Sequence, residues 1–147
     1  MGLSRSGDDP ARLLAALSEW ASGQVAHDVA TALAVEGAGL VREGFRASKA
    51  PSGERWRPLA APRDGRPWVA RQPLRKTGRL EYTATRYTVD GSGFVMTSTD
   101  YGAYHQSEAP RTRLPRRPFY PDESGLSPGW EIALRGAADE AVREHLP

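Results

Sequence analysis

Three histidines, His27, His105 and His145, are the side chains here whose ordinary pKa lies near neutrality. None stands at metal-ligand spacing from another histidine, and there is no cysteine to complete a ligand set. His105 has the richest surroundings for proton transfer, with Asp100, Tyr101 and Tyr104 in the same short stretch. General acid–base work would need it in a cleft beside a second polarising group. The competing role is a structural, hydrogen-bonding imidazole, and a cluster in sequence alone favours that plainer role. His27, beside Asp28 in a helical stretch, and His145, near the end of the chain, read as solvated surface residues. The absence of cysteine excludes disulfides, thiolate metal sites and a cysteine nucleophile. No Gly-x-x-x-x-Gly-Lys-Ser/Thr loop occurs, and no strand-linked Gly-x-Gly-x-x-Gly. The carboxylates are scattered. These residues point away from an enzyme and imply no cofactor, no metal and no small-molecule substrate.

The chemistry that the sequence does carry is cationic. Between Arg42 and Arg86 there are twelve basic residues against four acids, although the whole chain is only +2. Such a patch suits nucleic acid or an acidic protein surface. Arginines interleaved with Trp56 and Trp68 could neutralise phosphates and stack on bases. No helix-turn-helix, zinc or RNA-binding signature accompanies them. A small basic nucleic-acid-binding module is therefore the alternative function. A second cationic stretch is Arg111-Thr-Arg-Leu-Pro-Arg-Arg-Pro-Phe-Tyr-Pro121. Its three prolines fix φ and push the preceding residues toward extended backbone. It reads as a stiff connector with four arginines projecting and Phe119 and Tyr120 as its anchor.

Helices and a hairpin must position these residues. Residues 1–9 read as a flexible polar arm. A helix follows from Pro10, with Asp9 as its cap and Leu13, Leu14, Leu17 and Trp20 on one face. Ser22-Gly23 interrupts it. A longer helix is predicted from Gln24 to Ser48, striped by Val25, Val29, Leu33, Leu40, Val41 and Phe45. Its glycines, Gly37, Gly39 and Gly44, suggest close backbone packing. Residues 50–76 have no periodicity and read as an extended loop pinned by tryptophans. At Thr77-Gly78 a helical turn and a tight bend are equally compatible with the residues. Tyr82–Val89 and Phe94–Thr99 are predicted strands joined by the Asp90-Gly-Ser-Gly93 turn, with Phe94 and Met96 on one side. Asp100 is a candidate cap for a short turn. Ser127-Pro128 starts a last helix striped by Trp130, Leu134, Ala138, Ala141 and Leu146.

The length, 147 residues, fits a single domain. With 15 Gly and 12 Pro much of it must be loop, which suits a small core completed by neighbours. The start of the chain lacks the apolar run of a signal peptide, and no run of about 18 apolar residues offers a membrane span. The expected class is α+β, with a long N-terminal helix and a C-terminal helix packed on a small antiparallel sheet built around the hairpin.

In this order the landmarks resemble the phage virion morphogenesis family, the tail-completion proteins of tailed phages. Phe45 ends a long helix and is followed by Pro51-Ser-Gly-Glu-Arg-Trp56-Arg-Pro-Leu59, with one more residue between Gly53 and Trp56 than the family pattern. Then come Leu74-Arg-Lys-Thr-Gly-Arg-Leu80, Tyr101-Gly-Ala-Tyr-His-Gln106 and Leu114-Pro-Arg-Arg-Pro-Phe119. The likeness spans Phe45 to Tyr120 and departs at Ser107, where the family commonly has glycine. It implies a structural virion protein at the tail terminus or neck that completes the tail for head–tail joining. Its implied partners are copies of itself in a ring, as a hexamer, together with tail tube or sheath and head–tail connector proteins. Non-specific contact with DNA in the lumen is also implied, and no membrane. Its implied location is the virion, assembled in the bacterial host cytoplasm. Together with the connector, it makes Trp56, Trp68, Arg75, Arg79, Tyr104, His105, Arg113, Arg116, Arg117 and Phe119 the candidate protein-interaction residues.

Overall fold

The computed structural model describes residues 10–60, 65, 72–75, 77–107 and 115–147. Asp9, the N-terminal arm, Trp68, Arg113 and most of the predicted loop between 61 and 71 lie outside the described residues. In chain order the elements are α1 (Pro10–Ser22), α2 (Gln24–Ala47), α3 (Arg79–Ala84), β1 (Tyr87–Asp90), β2 (Gly93–Met96), α4 (Asp100–Gln106) and α5 (Pro128–Arg143). The class is α+β, as the residue patterns predict. Helix α5 packs along α2, and the antiparallel β1–β2 hairpin lies against α2 on both its strands. The register pairs Tyr87 with Met96 and Asp90 with Gly93.

Local chemistry sets most boundaries. Gly23, at φ 81°, parts α1 from α2. Helix α2 stops at Ser48, itself left-handed at φ 55°. Beyond it the chain folds back through Pro51–Gly53, where Ala50 N–H donates to Glu54 O and Trp56 N–H to Ser48 O. This return sets Trp56 against Phe45 one turn before the helix end. Ser127 caps α5 by accepting from Trp130 N–H, with Pro128 as the first helical residue. Ser127 N–H also donates to Pro51 O at 2.8 Å, which ties the start of α5 to the end of α2.

The buried stripe of α2 differs from the predicted line of large residues. Its buried positions are Val25, Ala30, Ala34, Gly37, Ala38, Val41 and Phe45. Val29, Leu33 and Leu40 are half-buried. Small residues let neighbouring elements approach closely: a Cβ on Gly37 would stand 3.4 Å from Met96 Cε. Gly44 is tighter still, since a Cβ there would meet Lys49 O at 2.9 Å. Gly39, predicted to pack, faces open space.

Three further expectations are corrected. Tyr82–Ala84 belongs to α3, not to the first strand. Leu80 and Ala84 are buried one helical turn apart, and the Thr83 and Thr85 hydroxyls donate to carbonyls three and four residues back. Burial at helical spacing overrides the β preference of these threonines and tyrosine. The second strand ends at Met96, because Thr99 turns the chain into α4; Thr99, rather than Asp100, is the cap and accepts from Gly102 N–H. Finally, the Leu13, Leu14, Leu17 and Trp20 face of α1 is not core: α1 has no buried residue.

Two histidines also depart from their solvated reading. His27 Nδ1 lies 2.9 Å from Gly91 O, fastening α2 to the hairpin turn. His145 lies between Glu19 of α1 and Asp28 of α2, each 2.8 Å from a ring nitrogen. Neither contact has a local signal, because each joins residues far apart in sequence.

The glycines of α2 generate a paired prediction for thermal unfolding. Gly39→Ala gains up to about 1 kcal/mol of stability, since the methyl meets nothing and the helix favours alanine. Gly44→Ala loses about 1–3 kcal/mol, because a backbone carbonyl must move.

Candidate functional site

The proline connector creates a problem that side chains solve. Pro115, Pro118 and Pro121 keep it out of helix and sheet, so its peptide groups have no ladder to join. Gln106, at the end of α4, takes over that part. Its Oε1 accepts from Phe119 N–H and Tyr120 N–H, both at 3.0 Å, and its Nε2 donates to Tyr120 O at 2.8 Å. The indole N–H of Trp56 donates to Pro118 O at 2.8 Å. One amide side chain and one indole thus satisfy four backbone donors and acceptors between Pro118 and Tyr120.

These bonds hold Phe119, 1% exposed, against Phe45 at 5.3 Å between ring centroids. Trp56 meets the other side of Phe45 edge-on at 5.5 Å. Leu80 and Ala84 of α3 complete the cluster, with Leu74, Tyr120 and Trp130 at its margin. The Tyr120 hydroxyl donates to Ala84 O at 2.7 Å, and burial pushes its pKa up to about 12.

Arg116 and Arg117 do not project, which corrects the expectation for these two; Arg111 and Arg113 lie outside the described residues. Arg117 is 3% exposed; its Nε donates to Arg57 O at 2.9 Å and its Nη2 to Pro58 O at 3.2 Å. Burial holds its pKa below the usual arginine value, with Arg57 adding to that and Tyr101 opposing it. It remains charged. Among the described residues no carboxylate pairs with it, so two carbonyl dipoles carry its solvation. Arg116 donates to Gln106 O through Nε at 3.1 Å and Nη2 at 2.9 Å, and to Asp122 at 2.5 Å. Burial raises the Asp122 pKa, but the bonds from Arg116 and Ser124 together outweigh it and hold the carboxyl below its usual value. Both arginines turn inward because the connector lies along residues 56–58 and beside α4, where unpaired carbonyls await donors.

His105 is also enclosed. It is 1% exposed, with Tyr101 at 4.7 Å and Tyr104 at 5.6 Å, both edge-on. That is the geometry of a packing residue. Gly102 in the same helix has no room for a side chain, since a Cβ there would collide with Ser98 and reach 2.9 Å from Leu80 Cδ1.

Arg75 and Arg79 belong to a second feature. They border an open groove of about 1130 Å³ with Leu59, Leu74, Glu81 and Tyr101. Arg75 pairs with Glu81 at 2.9 Å and donates to Gln72 at 2.6 Å. Arg79 is exposed, and Arg86 lies over the exposed Tyr82 ring at 5.7 Å. The predicted residues therefore divide. Trp56, Arg116, Arg117 and Phe119 belong to one bonded belt, His105 is buried in α4 against Tyr101 and Tyr104, and Arg75 and Arg79 lie on the groove. Trp68 and Arg113 are outside the described residues. Sequence reasoning missed Gln106 and Asp122 as belt members, whereas Tyr120, read there as part of the anchor, is fastened to Ala84 O. The signal available was the proline spacing itself, which demands side-chain partners for the connector.

Among the described residues no group of three or more His, Asp or Glu could hold a metal ion, and no helix is long and apolar enough to cross a membrane. Comparison with protein-family models, with curated proteins and with solved structures returned no match.

Two predictions follow from the belt. Gln106→Ala leaves two buried N–H groups and a carbonyl without their partner, and costs at least about 2 kcal/mol in denaturant unfolding. Tyr120 has a raised folded pKa, so the folded state holds its proton more tightly than the unfolded chain. Its contribution is complete below the ordinary phenol value and is lost as pH climbs from about 10 toward about 12. Tyr120→Phe flattens that part of the stability–pH curve, measured by denaturant midpoints at alkaline pH.

Proposed function

We propose that this protein is a structural subunit of a tailed phage or phage-like particle, forming a ring at the tail terminus or neck that completes the tail for head–tail joining. The observation that carries this reading is the convergence of the motifs behind the family resemblance. Phe45 with the Pro51–Leu59 element, the Leu74–Leu80 element, the Tyr101–Gln106 element and the Pro115–Phe119 element all meet around one aromatic cluster. Their meeting in one place, by packing and by hydrogen bonds, supports reading them as parts of one pattern.

The distribution of apolar side chains supports a subunit role. Among the described residues, buried large hydrophobics are few: Val25, Val41, Phe45, Trp56, Leu80 and Phe119. The exposed ones outnumber them and include Leu14 at 66%, Val95 at 58% and Ile132 at 72%. Exposed apolar side chains in this number suit a subunit whose faces are covered in an assembly. Closed rings arise when a head-to-tail contact repeats through a rotation that closes. The remaining partners in this proposal are tail tube or sheath subunits and head–tail connector proteins, with the particle as its location. No catalytic step is part of it.

The test is removal of the protein from its particle. Negative-stain images then show separate heads and tails, and supplying the protein in trans restores joined particles. Joined, infectious particles assembled without it would overturn the proposal. Native mass spectrometry of the purified protein gives the ring stoichiometry directly.

A further inference from the structure

Helix α1 is held to the body without burying its apolar face. Its apolar residues Leu13, Leu14, Leu17 and Trp20 are all about half-exposed or more. Of that face Trp20 borders the hollow between α2 and the hairpin, while Arg12, Ala15, Ala16 and Glu19, most of them exposed, line a second hollow with Glu144 and His145. The fastening at that hollow is polar. His145 Nδ1 lies 2.8 Å from Glu19 Oε2 and His145 Nε2 lies 2.8 Å from Asp28 Oδ2, so one imidazole links α1, α2 and the segment after α5.

The two contacts cannot both be hydrogen bonds to a neutral ring. A neutral imidazole has one N–H and one lone pair, and an ionised carboxylate only accepts. Only the imidazolium donates to both. We propose that His145 is a proton-dependent latch: its charged ring pins α1 to α2, and loss of the proton frees α1 to swing about Gly23.

The surroundings fit this device. The charged groups against the ring are Glu19 of α1 and Asp28 of α2, and Arg12 of α1 and Glu144 of its own segment line the same hollow. Asp28 is steadied by Gln24, whose Nε2 donates to Oδ1 at 2.8 Å. Gly23, at φ 81°, is the joint between the two helices, and its N–H still donates to Trp20 O at 3.3 Å. The hydrogen bond to Glu19, then burial opposing it, then the bond to Asp28 together raise the His145 pKa above its ordinary value of 6.5. The sign follows. The latch is closed below that ordinary value and opens as pH rises through the higher folded one. Glu19 is 53% exposed on its side chain, so the fastening is water-accessible and weak enough to release.

The test is an NMR titration of the ¹⁵N-labelled full chain, following the His145 ring and the amides of α1, with buried α2 amides as internal reference. The α1 amides are expected to shift with the midpoint of the His145 ring, above the ordinary imidazole value. Their hydrogen exchange, corrected for its intrinsic pH dependence, rises several-fold across that midpoint, and by no more than about tenfold per pH unit for one proton. His145→Gln shows the high-pH pattern of α1 at every pH while α2 is unchanged. Amides of α1 that ignore the His145 titration, or a low-pH pattern that persists in His145→Gln, overturn the latch. If that variant fails to fold, Glu19→Gln decides: it lowers the ring midpoint and loosens α1 at low pH, whereas unaltered α1 signals overturn the proposal. The outcome is independent of any role in a particle.

Discussion

The structure depends on how a proline-rich connector satisfies its own backbone. A strand would hand that task to a neighbouring strand, and a helix to itself. Residues 115–121 can do neither, so Gln106 and Trp56 supply the bonds from their side chains. This fixes the path of the connector, and the path places Phe119 against Phe45 in the cluster. Removing the amide would leave buried donors without acceptors, a loss larger than the bonds themselves are worth. The anchoring of α3, the placement of α4 and the start of α5 all follow from that one alignment.

The same alignment explains the arginines. Arg116 and Arg117 are long enough to cross from the connector to carbonyls on α4 and on residues 57 and 58. They serve as internal donors whose charge is incidental to surface chemistry. Of the basic residues between 42 and 86 that are described, Arg46 and Arg75 are engaged with Glu43 and Glu81, while Arg42, Lys49, Arg55, Arg57, Arg79 and Arg86 are exposed.

Packing along α2 rests on small residues. Ala30, Ala34, Gly37 and Ala38 bring α2 close to its neighbours but contribute little apolar area each. The larger side chains Val29, Leu33 and Phe94 end up around a shallow apolar hollow with Trp20 and Val142 instead of inside the core. A molecule built this way is stitched by hydrogen bonds and close approach at one end and left apolar and open at the other.

The helical segments, the break at Gly23, the Ser127–Pro128 start and the hairpin turn were all legible in the sequence, because caps, glycines and prolines act over a few residues. So was the burial of Trp56 and Phe119, the large aromatics beside the proline-rich stretches. The helical state of Tyr82–Ala84 was not, because Leu80 and Ala84 favour it only once a core exists to receive them. Nor was the inward turn of Arg116 and Arg117, the role of Gln106, or the way α1 is held. Each of these depends on a partner brought near by the fold, the extreme case being His145 and Glu19, separated by 126 positions in the chain. Local conformational preference is written residue by residue, whereas the partner of a polar side chain is decided only when the backbone has already brought it within about 3 Å.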